Sequence, residues 1–212
     1  MTSRDPGNFI IWRSLEGICF LVAGHVGTLG WKSLQFQQKP LSASEVGLRY
    51  APRMAVVLLD IDGTLLDAGG AGRAALVAAM RYELGPDIPE QQVAIAGRTD
   101  RGILRDLLKA YDLPGDEANF SRLLQLYLDH LPGELERATG RVLQGVPELL
   151  AALAKMEDVH LGLLTGNVAA AAQAKLQYYE IQTPFAFGGF GDDHAERADV
   201  AAAAIADAER HL

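Results

Sequence analysis

Only one cysteine, Cys19, stands in the 212 residues, so neither an intramolecular disulfide nor a cysteine-based zinc site can form. A reducing cytosol suits that composition. No Lys/Arg cluster interrupts a net charge of −8, which excludes a nucleic-acid-binding surface but leaves room for a metal cation among acids. No apolar run is long enough to span a bilayer, so no membrane partner is expected. The longest candidate, ICFLVAGHV (18–26), lacks the basic flank and cleavage pattern of a signal peptide. No internal repeat is visible. The apolar share of 49% is enough for a packed interior, which excludes global disorder.

Residues 1–53 show no sustained helical or strand period and are taken as an N-terminal extension of uncertain structure. At Met54 the pattern changes. MAVVLLD (54–60) is an apolar run of buried-strand type that ends on an aspartate. A glycine-rich loop and an alanine-rich helix follow within 68–84, then helices near 100–111, 117–130 and 146–156. Leu104, Leu107, Leu108 and Tyr111 recur at helical spacing, as do Leu123, Leu124, Tyr127 and Leu128, and read as packing faces of a small bundle. VHLGLLTG (159–166) is a second strand, followed by an Asn167-capped helix over 168–179. FAFGGFG (185–191) is a third strand and 196–211 a last helix. Strands alternating with helices predict an α/β fold with a parallel, Rossmann-like sheet and a helical insertion after the first core strand.

Ligands of parallel α/β sheets bind beyond the carboxyl ends of the strands. LLDIDGTLLD (58–67) puts Asp60 and Asp62 at such an end, with Gly63 allowing a tight turn. One carboxylate there can attack phosphorus while the other handles the proton. Mg²⁺ prefers oxygen ligands and fits between carboxylates and a phosphate. A bare Asp-x-Asp-Gly is more often an acidic turn. Here it belongs to a longer pattern: apolar strand, Asp-x-Asp-Gly-Thr-Leu, helical insert, then a strand ending Thr-Gly-Asn.

That combination, over about 54–212, resembles the haloacid dehalogenase superfamily, and within it the phosphoglycolate-phosphatase-like members with a helical cap. The resemblance implies a core at 54–67 and 141–212 and a cap at 68–140. It implies a Mg²⁺-dependent phosphatase of small phosphorylated metabolites working through an aspartyl-phosphate. Asp60 would be the nucleophile and a metal ligand. Asp62 would be the acid and base, with its backbone carbonyl on the metal, and Thr64 would help to hold it. Thr165, Gly166 and Asn167 would hold phosphate oxygens at a helix N-terminus. The family's third motif supplies a cation. No lysine follows Lys175, so Arg197 is the first choice; Lys175 is second, because it lies about 12 Å along its helix at ~1.5 Å per residue. Arg98 in AGRTDRGIL (96–104) would contact a substrate carboxylate or phosphate from the cap, and Gly69, Gly70 and Gly72 would let the cap hinge.

The family's fourth motif, an acidic pair after another apolar strand, has no counterpart before Leu212. Asp192 and Asp193 follow the third strand and are misplaced for it. The core is therefore expected to be incomplete at its C-terminal side. In this fold the fourth strand pairs beside the first, so MAVVLL would form an exposed edge unless ICFLVAGHV covers it. Two alternatives follow: a non-catalytic or partner-completed hydrolase fragment, and a sugar-phosphate mutase sharing the first aspartates.

Overall fold

The computed structural model describes residues 8–15, 18–25, 54–89 and 91–212. Five strands make one sheet: β1 (Asn8–Leu15), β2 (Ile18–His25), β3 (Met54–Leu59), β6 (Val159–Leu164) and β7 (Phe187–Gly189), in the order β1-β2-β3-β6-β7. Pairing is parallel from β2 through β7, and β1 joins β2 antiparallel. A two-stranded ribbon, β4 (Leu66–Asp67) with β5 (Arg141–Val142), lies apart from it. The helices are α1 (Ala71–Leu84), α2 (Asp100–Ala110), α3 (Glu117–Arg137), α4 (Val146–Leu153), α5 (Ala169–Tyr178) and α6 (Arg197–His211). The α/β class expected from the alternation is the one observed. Among the described residues no helix is long and apolar enough to cross a membrane.

Two expectations change. Part of the segment read as an extension without strand period forms β1 and β2, and β2 lies beside β3 in register from Ile18↔Met54 to Ala23↔Leu59. Residues 18–23 of the apolar run thus pair along the edge of β3, as expected if the run covered that edge. Local periodicity misses this because the strand is specified by its pairing with residues some 36 positions later. The second change concerns α5, which starts one residue later than expected, with Val168 at the cap and no side-chain capping bond.

Alternation along β3 splits the core in two. Val56 and Leu58 join Leu164, Phe187 and the Val200, Ala204 and Ala208 stripe of α6 on one face of the sheet. Val57 and Leu59 join the larger cluster built with α1, α2, α3 and α5 on the other. Both faces of the strand are apolar because both are covered. Each fully buried Val or Leu here contributes roughly 1.5–3 kcal/mol. Gly162 is small for a local reason: a Cβ there would overlap the ring of Phe187, which lies flat against β6.

Of the residues expected to form packing faces in the helices assigned to the cap, Leu104, Leu107 and Leu108 of α2 and Leu123 and Tyr127 of α3 are buried, and Tyr111, Leu124 and Leu128 are partly buried; Phe120 joins them. The ribbon Leu66↔Val142, Asp67↔Arg141 is where the chain leaves for these helices and returns. Gly69 sits in that crossing at φ +60°, and a Cβ would lie 2.8 Å from the Thr139 carbonyl carbon. Both the backbone conformation and the space there require glycine.

Candidate active site

Asp60 follows the last residue of β3, and its carboxylate is buried. Its Oδ1 accepts the Ile61 N–H at 2.8 Å and its Oδ2 accepts Arg197 Nη2 at 2.8 Å. Burial pushes the Asp60 carboxyl up from its ordinary value, while Arg197 and the Ile61 N–H pull it down. Arg197 is the first residue of α6, a position where the helix dipole disfavours a cation; the ion pair with Asp60 offsets that.

Asp62 lies two residues on, in the turn closed by Gly63 at φ +77°. Its Oδ2 accepts from Lys175 Nζ at 2.7 Å and from Asn167 Nδ2 at 2.8 Å. Lys175 also donates to Asn167 Oδ1 at 2.7 Å, which closes a three-residue ring of polar contacts. The sequence-based doubt about the reach of Lys175 is thereby corrected. Asn167, Ala171 and Lys175 stand at i, i+4 and i+8, and a helical side chain leans toward the N-terminus, so the ammonium recovers much of the axial distance. Ala171 between them leaves its path open.

The structure also reassigns the donors at the start of α5. Asn167 turns its side chain to Asp62, Thr165 and Lys175 instead of capping the helix. The Val168 N–H donates to Asp100 Oδ2 at 2.9 Å and the Ala169 N–H to Asp192 Oδ2 at 2.8 Å. Two of the helix's own N–H groups therefore already hold carboxylates. Thr165 is fully buried, and its hydroxyl accepts from Asn167. Gly166 admits no side chain, since a Cβ would overlap the Arg98 carbonyl. The Thr64 hydroxyl, expected to hold Asp62, is buried without a hydrogen-bond partner among the described residues. Arg98 pairs with Asp106 at 2.9 Å.

A cavity of about 290 Å³ brings most of these groups together. Its walls include Asp60, Asp62, Gly166, Asn167, Lys175, Arg197, Arg98 and Asp100, and Asp67 and Arg73 complete its charged lining. Thr165 is not part of that wall. A larger, open depression of about 670 Å³ runs along α1 but holds none of these aspartates. The enclosed one is the site that matters chemically.

Sequence reasoning missed Asp100. It is buried at the first residue of α2, and burial pushes its carboxyl up to about 6 against the pull of Lys175 and the Val168 N–H. Burial raises the Tyr127 phenol well above its ordinary value, and the neighbouring Asp100 carboxylate raises it further. Thr99, the N-cap, accepts the Gly102 N–H and explains a Thr-Asp pair locally, which hid the long-range contact.

A Mg²⁺ at this site would draw on the oxygens of Asp60 and Asp62. Both Asp60 oxygens and one of Asp62's are taken by N–H groups and cations. Asp192 is bound to the α5 N-terminus, and among the described residues no three His, Cys, Asp or Glu side chains are placed to hold a metal. Mg²⁺ needs only one or two carboxylates beside water and a substrate phosphate, so Asp60 and Asp62 are the residues that would hold it.

A family model described as haloacid dehalogenase-like hydrolase matches residues 54–212. The chain belongs to that family. It is therefore a hydrolase by descent. No curated protein matches it. Among solved structures it is similar to CbbY from Rhodobacter sphaeroides in complex with phosphate, at 15% identity and TM-score 0.55, over 73% of this chain and 72% of that one. A hydrolase from Pseudomonas syringae gives 20% identity and TM-score 0.52, over 74% and 70%. A predicted phosphatase from Clostridium acetobutylicum gives 19% and 0.51, over 73% and 70%. Each likeness is one of fold.

Proposed function

We propose that this hydrolase is a phosphatase of small phosphate monoesters, working through a transient phosphoryl group on Asp60. The observation that carries the reading is the pairing of each aspartate with its own cation, Asp60 with Arg197 and Asp62 with Lys175, on one enclosed cavity. An Asp60 oxygen attacks phosphorus and the ester P–O bond breaks, with Asp62 giving its proton to the leaving alkoxide. Asp62 then takes a proton from water, whose oxygen attacks phosphorus and breaks the Asp60–phosphorus bond, releasing inorganic phosphate. Arg197 and Lys175 balance charge as it gathers on the phosphoryl oxygens, with Gly166 and Asn167 beside them. Mg²⁺, when bound, would neutralise phosphate charge, with Asp60 and Asp62 as the residues to hold it.

The cavity of about 290 Å³ limits the substrate to a small metabolite. Arg98 on its wall is the cap residue for a second anionic group, in exchange for Asp106. A second reading, a non-catalytic binding domain, draws on the two acids already seated on the α5 N-terminus. One assay separates them: p-nitrophenyl phosphate turnover, lost in Asp60→Asn under the first reading and absent from the start under the second.

A further inference from the structure

We propose that Asp100 is a positioning residue of this site, docking α2 on the turn Gly166–Val168 and so setting Asn167 and Lys175 against Asp62. The inference rests on the phosphatase reading for its kinetic consequence and on geometry alone for the docking. An acid in the first turn of a helix ordinarily stays in solvent and serves its own helix's N–H groups. Asp100 does neither. Its Oδ2 crosses to the Val168 N–H, 68 residues away, and its own backbone N–H donates to the Gly166 carbonyl at 2.7 Å. One residue thus holds both sides of the turn whose middle member, Asn167, contacts Asp62 and Lys175.

Its neighbours fix the same interface. Thr99 Oγ1 donates to the Ala195 carbonyl at 2.8 Å, and Arg101 Nη1 to the Asp192 carbonyl at 2.9 Å. The Arg98 carbonyl presses on Gly166 where no Cβ fits, so the contact is too close to be incidental. Tyr127 from α3 lines the same cavity beside the buried carboxylate. Asp100 lines the cavity yet is neither of the two reacting aspartates. Because it is carried by α2, seating those helices and ordering the Asp62–Asn167–Lys175 ring become one event.

The test uses Asp100→Ala and Asp100→Asn in the full chain, with two independent readouts. Asparagine keeps an acceptor for the Val168 N–H; alanine keeps none. In ¹H–¹⁵N spectra at neutral pH, Asp100→Ala should move the Val168 backbone amide and the Asn167 side-chain amide together, and Asp100→Asn should return the Asn167 signal most of the way. In p-nitrophenyl phosphate turnover per folded molecule, Asp100→Ala should lower kcat by roughly 10- to 100-fold, the scale of a misplaced group, with KM within about threefold. Asp100→Asn should recover most of that loss. Asn167 signals unmoved in Asp100→Ala would overturn the docking, whether or not the chain hydrolyses anything. A kcat unchanged in Asp100→Ala, or lowered equally in both variants, would overturn the positioning role. Absence of turnover in the wild type would count against the phosphatase reading only, and the spectra would still decide the docking.

Discussion

Lys175 Nζ lies 2.7 Å from Asp62 Oδ2, across 113 positions of sequence, and it is almost entirely buried while Asp62 is partly open to the cavity. A buried ammonium needs a partner, and Asp62 Oδ2 and Asn167 Oδ1 supply two. The lysine in turn orients the carboxylate that handles the proton.

Replacing Lys175 by methionine keeps the aliphatic stem and removes the charge. The expected result is a kcat lower by roughly 10²–10³-fold, the scale for losing one preorganised electrostatic contact. Stability should change little or rise, because a desolvated charge goes with it. Steady-state kinetics beside a thermal melt would show the split. Arginine should not rescue, since its planar fork does not fit a slot shaped for one Nζ.

Arg197→Leu addresses the other pair. Burial already raises Asp60 above its ordinary value, and Arg197 is the chief opposing influence. Without the guanidinium the carboxyl rises further, so less of it is ionised at any given pH. Asp60 attacks only as the anion, and the acidic limb of the kcat/KM profile should therefore move to higher pH. An unmoved limb would mean that Arg197 does not govern Asp60.

Asp100 yields a prediction about stability. Its carboxyl stands at about 6 in the folded chain against 3.8 ordinarily. Below that lower value both states are protonated and the group contributes nothing. Between the two values the unfolded chain ionises first, so folding loses stability as pH rises, and above about 6 the deficit is constant. Asparagine does not ionise. Asp100→Asn should melt higher than wild type at pH 7, by on the order of 3 kcal/mol at most, with the gain gone near pH 4. Denaturant titrations at the two pH values would measure it.

Much of the site was legible in the sequence. The apolar run into Asp60 announced the first core strand, and the second core strand was found where expected but ends two residues early, at Leu164. The unbroken apolar run predicted a strand buried on both faces, and Val56 and Leu58 pack on one face with Val57 and Leu59 on the other. What was not legible depends on long-range contact. β2 is recognised by its pairing with β3, and Asp100 by a bond to Val168 that no local pattern encodes. Lys175 lay between these cases: its i+8 spacing from Asn167 was visible, but a straight count of helix rise overstated the distance because it ignored the lean of the side chain. Asp192 read as a loop acid and serves as the partner of the Ala169 N–H.

The phosphoryl group on Asp60 is the center of the account, and it can be looked for directly. The chain is mixed with p-nitrophenyl phosphate, quenched in acid and digested with pepsin, and the peptide containing Asp60 is weighed. The account predicts one phosphoryl group on that residue in the wild type, none in Asp60→Asn, and more in Asp62→Asn, where the water step lacks its base. Phosphate released with no label on that peptide, or released by Asp60→Asn, would contradict it.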